Sequence, residues 1–541
     1  MVTKRTGAKA LVESLVAEGV RHVFGIPGVH NLAIYDVLVE LGATQQPPAH
    51  ILVRHEQSAV YAADGHARAT GRPGIALATT GPGALNAMAA LNEAACSDVP
   101  VLLLASQIHS GLLGARRQAL HEMKDQLGAF RAVVEHAERA GAVGEIPARA
   151  QQAFAHMRRG PSRAAYLEIP HDLLHAECAA PVLEPAETSP VAPSEESVRQ
   201  VLTALETAEY PALLAGGGVL HARGERALLR VAEWLGAPVV TTSAAKGVIP
   251  ADHPLHAGVL AAGGVVDQII SNADLLIALG TRIAHRDLRR VKSPVPGELV
   301  HVDIDPTVFA RTWRPSIRIE ADACAFLEVL FAELALGPAR EGQPARQRVR
   351  ELLHLQRMRN LDREPLALDF MAAISEGLGG NGILAVDQTV PGYWCELYYP
   401  CLQPRAFLYP AGSGVLGYAL PAAIGAKIAQ PGTPVAVVIG DGGFHFTGAE
   451  FATMVQYRLG IPVIVFNDNQ YGVIRTLQMR AFNRSGEVDL VNPNFPALAK
   501  AYGGEGVRVP NAASLPRAIQ KALERDLPTL IEVPLSLQPP W

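Results

Sequence analysis

The stretch from Gly440 to Gly472 constrains the fold more than any other part of the chain. An apolar β-branched run, Val435 to Ile439, leads into Gly440-Asp441-Gly442-Gly443. A second run, Ile461 to Phe466, leads into Asn467-Asp468-Asn469-Gln470-Tyr471-Gly472. Between them, Glu450-Phe451-Ala452-Thr453-Met454-Val455 has helical spacing of apolar residues and ends near Gly460. Strand, glycine-rich turn, helix and strand in that order form a parallel βαβ unit. Both polar clusters then fall at the carboxyl ends of adjacent strands, where open α/β sheets bind ligands.

Chemistry follows from that placement. Glycines at 440, 442 and 443 let backbone N–H groups come close to an anion, and the helix beyond them turns its N-terminus toward it. An aspartate inside a phosphate-binding turn repels its ligand unless a cation lies between them. Mg²⁺ takes octahedral oxygen ligation shared between one or two carboxylates and substrate phosphates. Asp441 and Asp468, 27 residues apart, are therefore candidates to clamp a diphosphate-bound Mg²⁺. An ordinary βα turn with solvated aspartates has the same local spacing, so on these residues alone both readings stand.

The segment resembles the diphosphate-binding motif of thiamine-diphosphate (ThDP) enzymes. The resemblance implies metal ligation by Asp441, Asp468 and the Gln470 carbonyl, with Gly440, Gly442, Gly443, Tyr471, Gly472 and Val473 around the cofactor. The family usually has Asn where Asp468 stands. That change keeps an oxygen ligand and adds a negative charge.

A chain of 541 residues has room for about three domains with full cores. Hydrophobic content of 49% and charged content of 18% suit a compact fold. The 47 basic and 52 acidic residues contain no basic block, so nucleic acid is not an expected partner. Cysteines 96, 178, 324, 395 and 401 form no CxxC pair, as expected of reduced thiols in a cytoplasmic protein. No run approaches the length needed to span a membrane, and Glu13 and Glu18 argue against a signal peptide.

Three α/β blocks are expected, each with a doubly wound parallel sheet. The first is residues 1–182, with a helix from Thr6 to Glu18 and strands near 21–24, 51–54, 74–80, 100–106 and 164–170. A Pro/Ala/Glu/Ser-rich linker runs from Pro181 to Ser197. The second block, 197–340, has strands near 212–215, 238–242, 275–280 and 299–303. Charged residues from Ala339 to Gln347 mark the next boundary, and the third block is 348–541.

In the first block Arg54-His55-Glu56-Gln57, Ala62-Ala63-Asp64-Gly65-His66-Ala67-Arg68-Ala69 and Thr80-Gly81-Pro82-Gly83 resemble the pyrimidine-binding domain of the acetolactate synthase branch. Taken alone, a Glu at a helix start is an ordinary dipole partner. The resemblance implies more: Glu56 would hydrogen-bond the aminopyrimidine ring and promote its proton-relaying tautomer, with Thr80 and Asn86 beside it. A buried carboxyl suits that relay. Residues 238–242, 252–254, 279–282 and 302–306 resemble the family's Rossmann-like middle domain. Ala411 to Pro421 resembles its cofactor-bending segment. There Gly412 and Ser413 would bind the cofactor, the Gly414 carbonyl would receive the pyrimidine amine, and Leu416 would wedge beneath the cofactor. The resemblance further implies a homodimer at minimum, with a homotetramer expected, because two chains would share each site.

The residues around the reaction centre depart from each well-known branch. Arg117 to Glu122 replaces the acetolactate synthase Gly-Thr-Asp-Ala-Phe-Gln-Glu segment, and Leu477 stands where those enzymes place Trp. Val29 and Ile474 replace the Asp and Glu of pyruvate decarboxylases, while Val29 and Thr79 replace the Ser and His of benzoylformate decarboxylases. The turn Gly25 to His30 with Leu120-His121-Glu122 is most similar to decarboxylases of amino-acid-derived 2-oxo acids, such as the guanidino-oxopentanoate enzyme. His30, His121 and Gln388 are the candidate catalytic polar groups, with Glu122 and Gln478 behind them, and each could equally be a satisfied structural residue. The expected activity is ThDP- and Mg²⁺-dependent decarboxylation and carboligation of 2-oxo acids. A flavin-linked oxidase and a catalytically silent ThDP-binding subunit are the alternatives. The Gly216-Gly217-Gly218 turn could cradle FAD or another nucleotide, or the middle domain could stand empty.

Overall fold

Three six-stranded parallel sheets carry the chain in a computed structural model that describes residues 4–42, 47–159, 163–289, 291, 297–340 and 343–541. Each sheet is near-continuously apolar along its central strands and covered by helices on both faces, as a parallel sheet requires. The first orders its strands Ala49–Leu52, His22–Gly25, Gly74–Ala78, Val101–Gln107, Ala165–Pro170, His136–Arg139. The middle sheet runs His256–Val259, Val239–Thr241, Pro211–Ala215, Leu275–Leu279, Glu298–Asp303, Ile317–Glu320. The third runs Phe407–Leu408, Ile383–Val386, Val435–Gly440, Pro462–Phe466, Thr529–Val533, Glu505–Arg508.

The first and third domains share one core. The helix Glu56–Thr70 packs along the helix Ala419–Ala429. Their contact is so close that a Cβ at Gly65 would overlap the Ala422 carbonyl, and one at Gly425 the Ala62 carbonyl. Polar bonds tie the same boundary: Tyr418 donates to Asp64 at 2.6 Å, and Arg54 N–H donates to Glu450 at 2.9 Å. The middle domain is held by Lys246, which donates to the carbonyls of Cys395 (3.0 Å) and Glu396 (2.8 Å), and by the Arg286–Glu396 pair at 2.7 Å.

Several expectations shift. The helix after the glycine-rich turn begins at Asp441 itself and runs to Thr447, because Gly440 is extended at its N-cap. The residues read as one helix at 450–455 divide into a 3-10 turn, Gly448–Glu450, and the helix Phe451–Gln456. The linker stops before Glu195, where Ser194 accepts from Ser197 N–H and caps a helix to Thr207. The charged stretch from Ala339 contains the start of a long helix, Gln343–Arg363, so charge there marks a solvated helix end and not a loop. The glycine triplet opens a short helix, Gly217–His221. A Cβ at Gly216 or Gly218 would strike Gly280, so that close backbone approach already accounts for both residues without a nucleotide.

Candidate functional site

Register builds the third-domain site. Val438 pairs with Ile464 and Gly440 with Phe466, which sets Asp441 and Asp468 at the same level where two adjacent strands end. Past the second strand, Asn469 takes a left-handed φ of 56°, so the chain turns back over the strand end. The segment Val488–Leu490 pins this turn, since Tyr471 N–H donates to the Val488 carbonyl and Leu490 N–H to that of Asn469. Asn492 follows and joins both clusters: its amide donates to Asp441 Oδ2 at 2.6 Å and to Asn467 Oδ1 at 2.9 Å. No motif singled out Asn492, because its role depends on a turn that brings it back across 51 residues.

Asp441 and Asp468 line a cavity of about 270 Å³, together with Gly440, Gly442, Gly443, Gln470, Tyr471, Gly472, Val473, Gln388, Gly414 and Leu416. Its lining contains no lysine, arginine or histidine among the described residues. Burial, then the neighbouring charge of Asp468, pushes the Asp441 carboxyl up; burial also raises Asp468, against hydrogen bonds from Gln470 and Ser536. Two carboxylates facing an apolar cleft without a cationic side chain suit a hard divalent cation shared with an anionic ligand. Among the described residues no three His, Cys, Asp or Glu are grouped for a metal, so a carbonyl such as that of Gln470 and the ligand's own oxygens would have to complete any shell.

The loop bearing Gly412, Ser413 and Gly414 is held by Glu93, a fully buried residue of the first-domain helix Pro82–Cys96. Its oxygens accept from Gly412 N–H (2.8 Å), Ser413 N–H (2.7 Å) and Gly414 N–H (3.1 Å). Asp387, also buried, accepts from Gly417 and Tyr418 N–H; burial raises it to about 6. Neither was found from the sequence, since a lone carboxylate on a helix (Glu93) or just past a strand (Asp387) gives no local signal. Gln388 faces the cleft and donates to the Pro410 carbonyl at 2.8 Å.

Glu56 lies elsewhere. It begins the Glu56–Thr70 helix, and Asn86 donates to its Oε2 at 3.0 Å. It does not line the Asp441 cavity. Glu56, whose carboxyl was expected to be buried, is half-exposed. Thr80 is buried beneath it and hydrogen-bonds Ser106 at 3.0 Å. His30 and His121 meet nearby with ring centroids 5.2 Å apart, and a Cβ at Gly81 would strike the His121 carbonyl. Burial first, then His121 and His171, holds the His30 imidazole below its ordinary range. Of the two residues placed behind them, Glu122 accepts from Ala119 N–H, and Gln478 exchanges bonds with the Gly486 backbone instead. Two separate groups of candidate residues therefore stand on the chain: Glu56, Asn86, His30 and His121 at the first sheet, and the acidic cleft at the third.

Comparison with known proteins identifies the fold family. The family profiles for the N-terminal TPP binding, central and C-terminal TPP binding domains of thiamine pyrophosphate enzymes match residues 5–129, 198–330 and 388–533. The chain belongs to the thiamine pyrophosphate enzyme family. It is 35% identical to a probable 2-ketoarginine decarboxylase of Pseudomonas aeruginosa over 98% of this chain and 94% of that one. It is 31% identical to the acetolactate synthase isozyme 3 large subunit of Escherichia coli, covering 96% and 92%. A probable acetolactate synthase large subunit of Methanocaldococcus jannaschii is also 31% identical, covering 97% and 91%. Each matched segment falls on a different one of the three sheets, with the strands His136–Arg139, Ala165–Pro170 and Ile383–Val386 outside the matched residues. This ThDP enzyme is thus of the acetolactate-synthase-like and 2-oxo-acid-decarboxylase group. Among its described residues, no helix is long and apolar enough to cross a membrane.

Proposed function

We propose that the protein is a Mg²⁺-dependent enzyme that decarboxylates several 2-oxo acids and joins the resulting acyl unit to an acceptor carbonyl when one is present. The observation that carries this reading is the single cleft in which Asp441, Asp468, Gly414 and Leu416 meet with no basic side chain. Asp441, Asp468 and the Gln470 carbonyl would hold Mg²⁺ against the diphosphate. Leu416 would support the cofactor from below, and Gln388 would face the reacting carbon from the cleft wall. The cofactor, when bound, supplies the electron sink that cleavage next to a carbonyl needs. The protein's part is to orient, exclude water and handle protons.

Glu56 would serve the cleft of a second chain, with Asn86 holding its carboxylate. Its separation from Asp441 in one chain supports this, as do Val29 and Leu120, which are 64% and 60% exposed beside it. Ile474 and Leu477, also exposed, flank the cleft on the other half-site. Brought together, these apolar side chains would wall the pocket and admit extended or apolar 2-oxo acids. Such walls separate homologous substrates by only about 1–3 kcal/mol per methylene, so a broad range is expected. FAD has no part in this reading.

The test is to incubate the protein with ThDP, Mg²⁺ and a panel of 2-oxo acids that includes pyruvate, 2-oxobutyrate and 2-ketoarginine. CO₂ release is scored separately from carboligation products. CO₂ from several acids, and some acetolactate from pyruvate without a strong 2-oxobutyrate preference, is the expected result. No CO₂ from any acid would overturn the reading, and a yellow protein that reduces a quinone would favour the oxidase.

A further inference from the structure

The two candidate-site histidines do not stand alone. His30 meets His121 on one side and His171 on the other, where the ring centroids are 5.4 Å apart and the planes cross at 70°. His171 in turn meets His109 at 5.7 Å and 75°. Three strands of the first sheet deliver these rings to one edge. His30 follows His22–Gly25, His109 follows Val101–Gln107, and His171 opens the helix after Ala165–Pro170. Solvent access rises along the row: His30, His121 and His171 are half-buried, and the His109 side chain is 52% exposed. His30 Nδ1 and His121 Nδ1 are buried without a hydrogen-bond partner. No direct hydrogen bond joins these rings among the described residues, so a proton would pass between neighbouring rings through a bridging water.

We propose that His171 and His109 form a proton conduit that recharges His30 from solvent, a role that rests on reading His30 as a proton donor in the site. Decarboxylation of a 2-oxo acid consumes one proton per turnover. The C1–C2 bond breaks, CO₂ leaves, and the electron pair left on C2 takes a proton to give the aldehyde. His30 gives that proton and becomes neutral; His171 returns one to it, and His109 refills His171. His109 Nδ1 already accepts from Gly111 N–H at 3.1 Å, which leaves Nε2 as its exchanging atom. Burial holds the His171 imidazole below its ordinary range, and Asp172 works against that. Burial raises its carboxyl, but Ser110 Oγ–H (2.6 Å) and N–H (2.8 Å) donate to it and bring it below its ordinary value; it lies 4.0 Å from His109 Nδ1. The charged and titratable groups facing the row are His121 beside His30, and Asp172 and His175 beside His171. His171 and His109 touch no substrate, so they are positioning residues.

The holoenzyme decides the matter through pH profiles of kcat with and without added imidazole. His109→Gln should lower kcat about tenfold with KM unchanged, and imidazole should restore it by acting as a diffusible donor. His171→Gln should lower kcat and, by removing a repelling ring, move the alkaline limb of the profile, where a proton-donating His30 titrates, to higher pH. It should also raise the share of carboligation product, because slower protonation gives an acceptor more time. NMR titration of the His30 ring provides a readout independent of turnover and should show His30 titrating higher in His171→Gln. An active wild type whose two variants keep its profile, or lose activity that imidazole does not restore, overturns the conduit alone. A wild type that releases no CO₂ overturns the functional reading and the conduit with it.

Discussion

Glu93 accepts five hydrogen bonds, from Gly412, Ser413 and Gly414 N–H and from the hydroxyls of Ser413 and Ser97, while its nearest cation, Arg68, lies 3.9 Å away. A carboxylate is the one side chain that accepts at both ends without offering a donor. Glu93→Gln would turn an NH₂ group toward N–H donors, which costs about 1–3 kcal/mol for the groups left unmet. Denaturant unfolding should register that loss, and calorimetry should register weaker ThDP binding as the Gly414 loop loosens. The acidic cleft allows a sharper pair. Asp441→Ala should abolish ThDP binding, whereas Asp468→Asn should be mild, because Asn supplies the same kind of oxygen without the charge. Tight ThDP binding by the first variant, or none by the second, would remove Mg²⁺ from these residues.

At the scale of elements, the glycines of the paired helices Glu56–Thr70 and Ala419–Ala429 decide the geometry. Gly65 and Gly425 let the two backbones touch. The first helix carries Glu56 at its start, and the second follows directly on the loop from Gly412 to Gly417, so their contact sets where Glu56 and that loop sit. Gly425→Val forces that contact apart. Overpacking of this kind costs about 1–3 kcal/mol, occasionally more. A fall in thermal midpoint accompanied by a raised KM for ThDP is the expected outcome; an unchanged midpoint would show that the helices can separate freely. The Gly65 and Gly425 positions could be quoted from the sequence, but their need for a missing Cβ arises only because a helix of one domain lies on a helix of another, more than 350 residues away.

The whole molecule poses the question of assembly. With Glu56 outside the Asp441 cavity, one chain cannot complete a site by itself under the proposed mechanism. Glu56→Gln should lower turnover by orders of magnitude while ThDP still binds, because the hydrogen bond survives and the proton transfer does not. Asp441→Ala should be inactive for lack of cofactor. Mixing the two should restore partial activity through hybrid sites, provided the subunits exchange, since a twofold dimer pairs one intact half-site from each variant. A catalytically active monomer in light scattering, or a mixture that stays dead after demonstrated exchange, would reject sharing between chains.

The sequence alone determined the parts whose signal is local. Apolar runs located the inner strands of the first two sheets and the strands Val435–Gly440 and Pro462–Phe466 of the third within a residue or two, since a parallel sheet buries both faces, whereas the inner strands Ile383–Val386 and Thr529–Val533 were not read. That Gly440 to Gly443 and the Asp468 turn end two adjacent strands was legible, because each follows an apolar β-branched run, although the same spacing also suits an ordinary βα turn. Tertiary structure decided the rest. Glu93, Asp387 and Asn492 act across sequence gaps that no periodicity encodes, and the helix beginning at Asp441 is set by the extended Gly440 before it. Whether Glu56 is covered or exposed, and which histidines stand in a row, depend on which strand ends the sheet order brings to one edge. That order is fixed by packing over the whole chain, and no stretch of residues carries it alone.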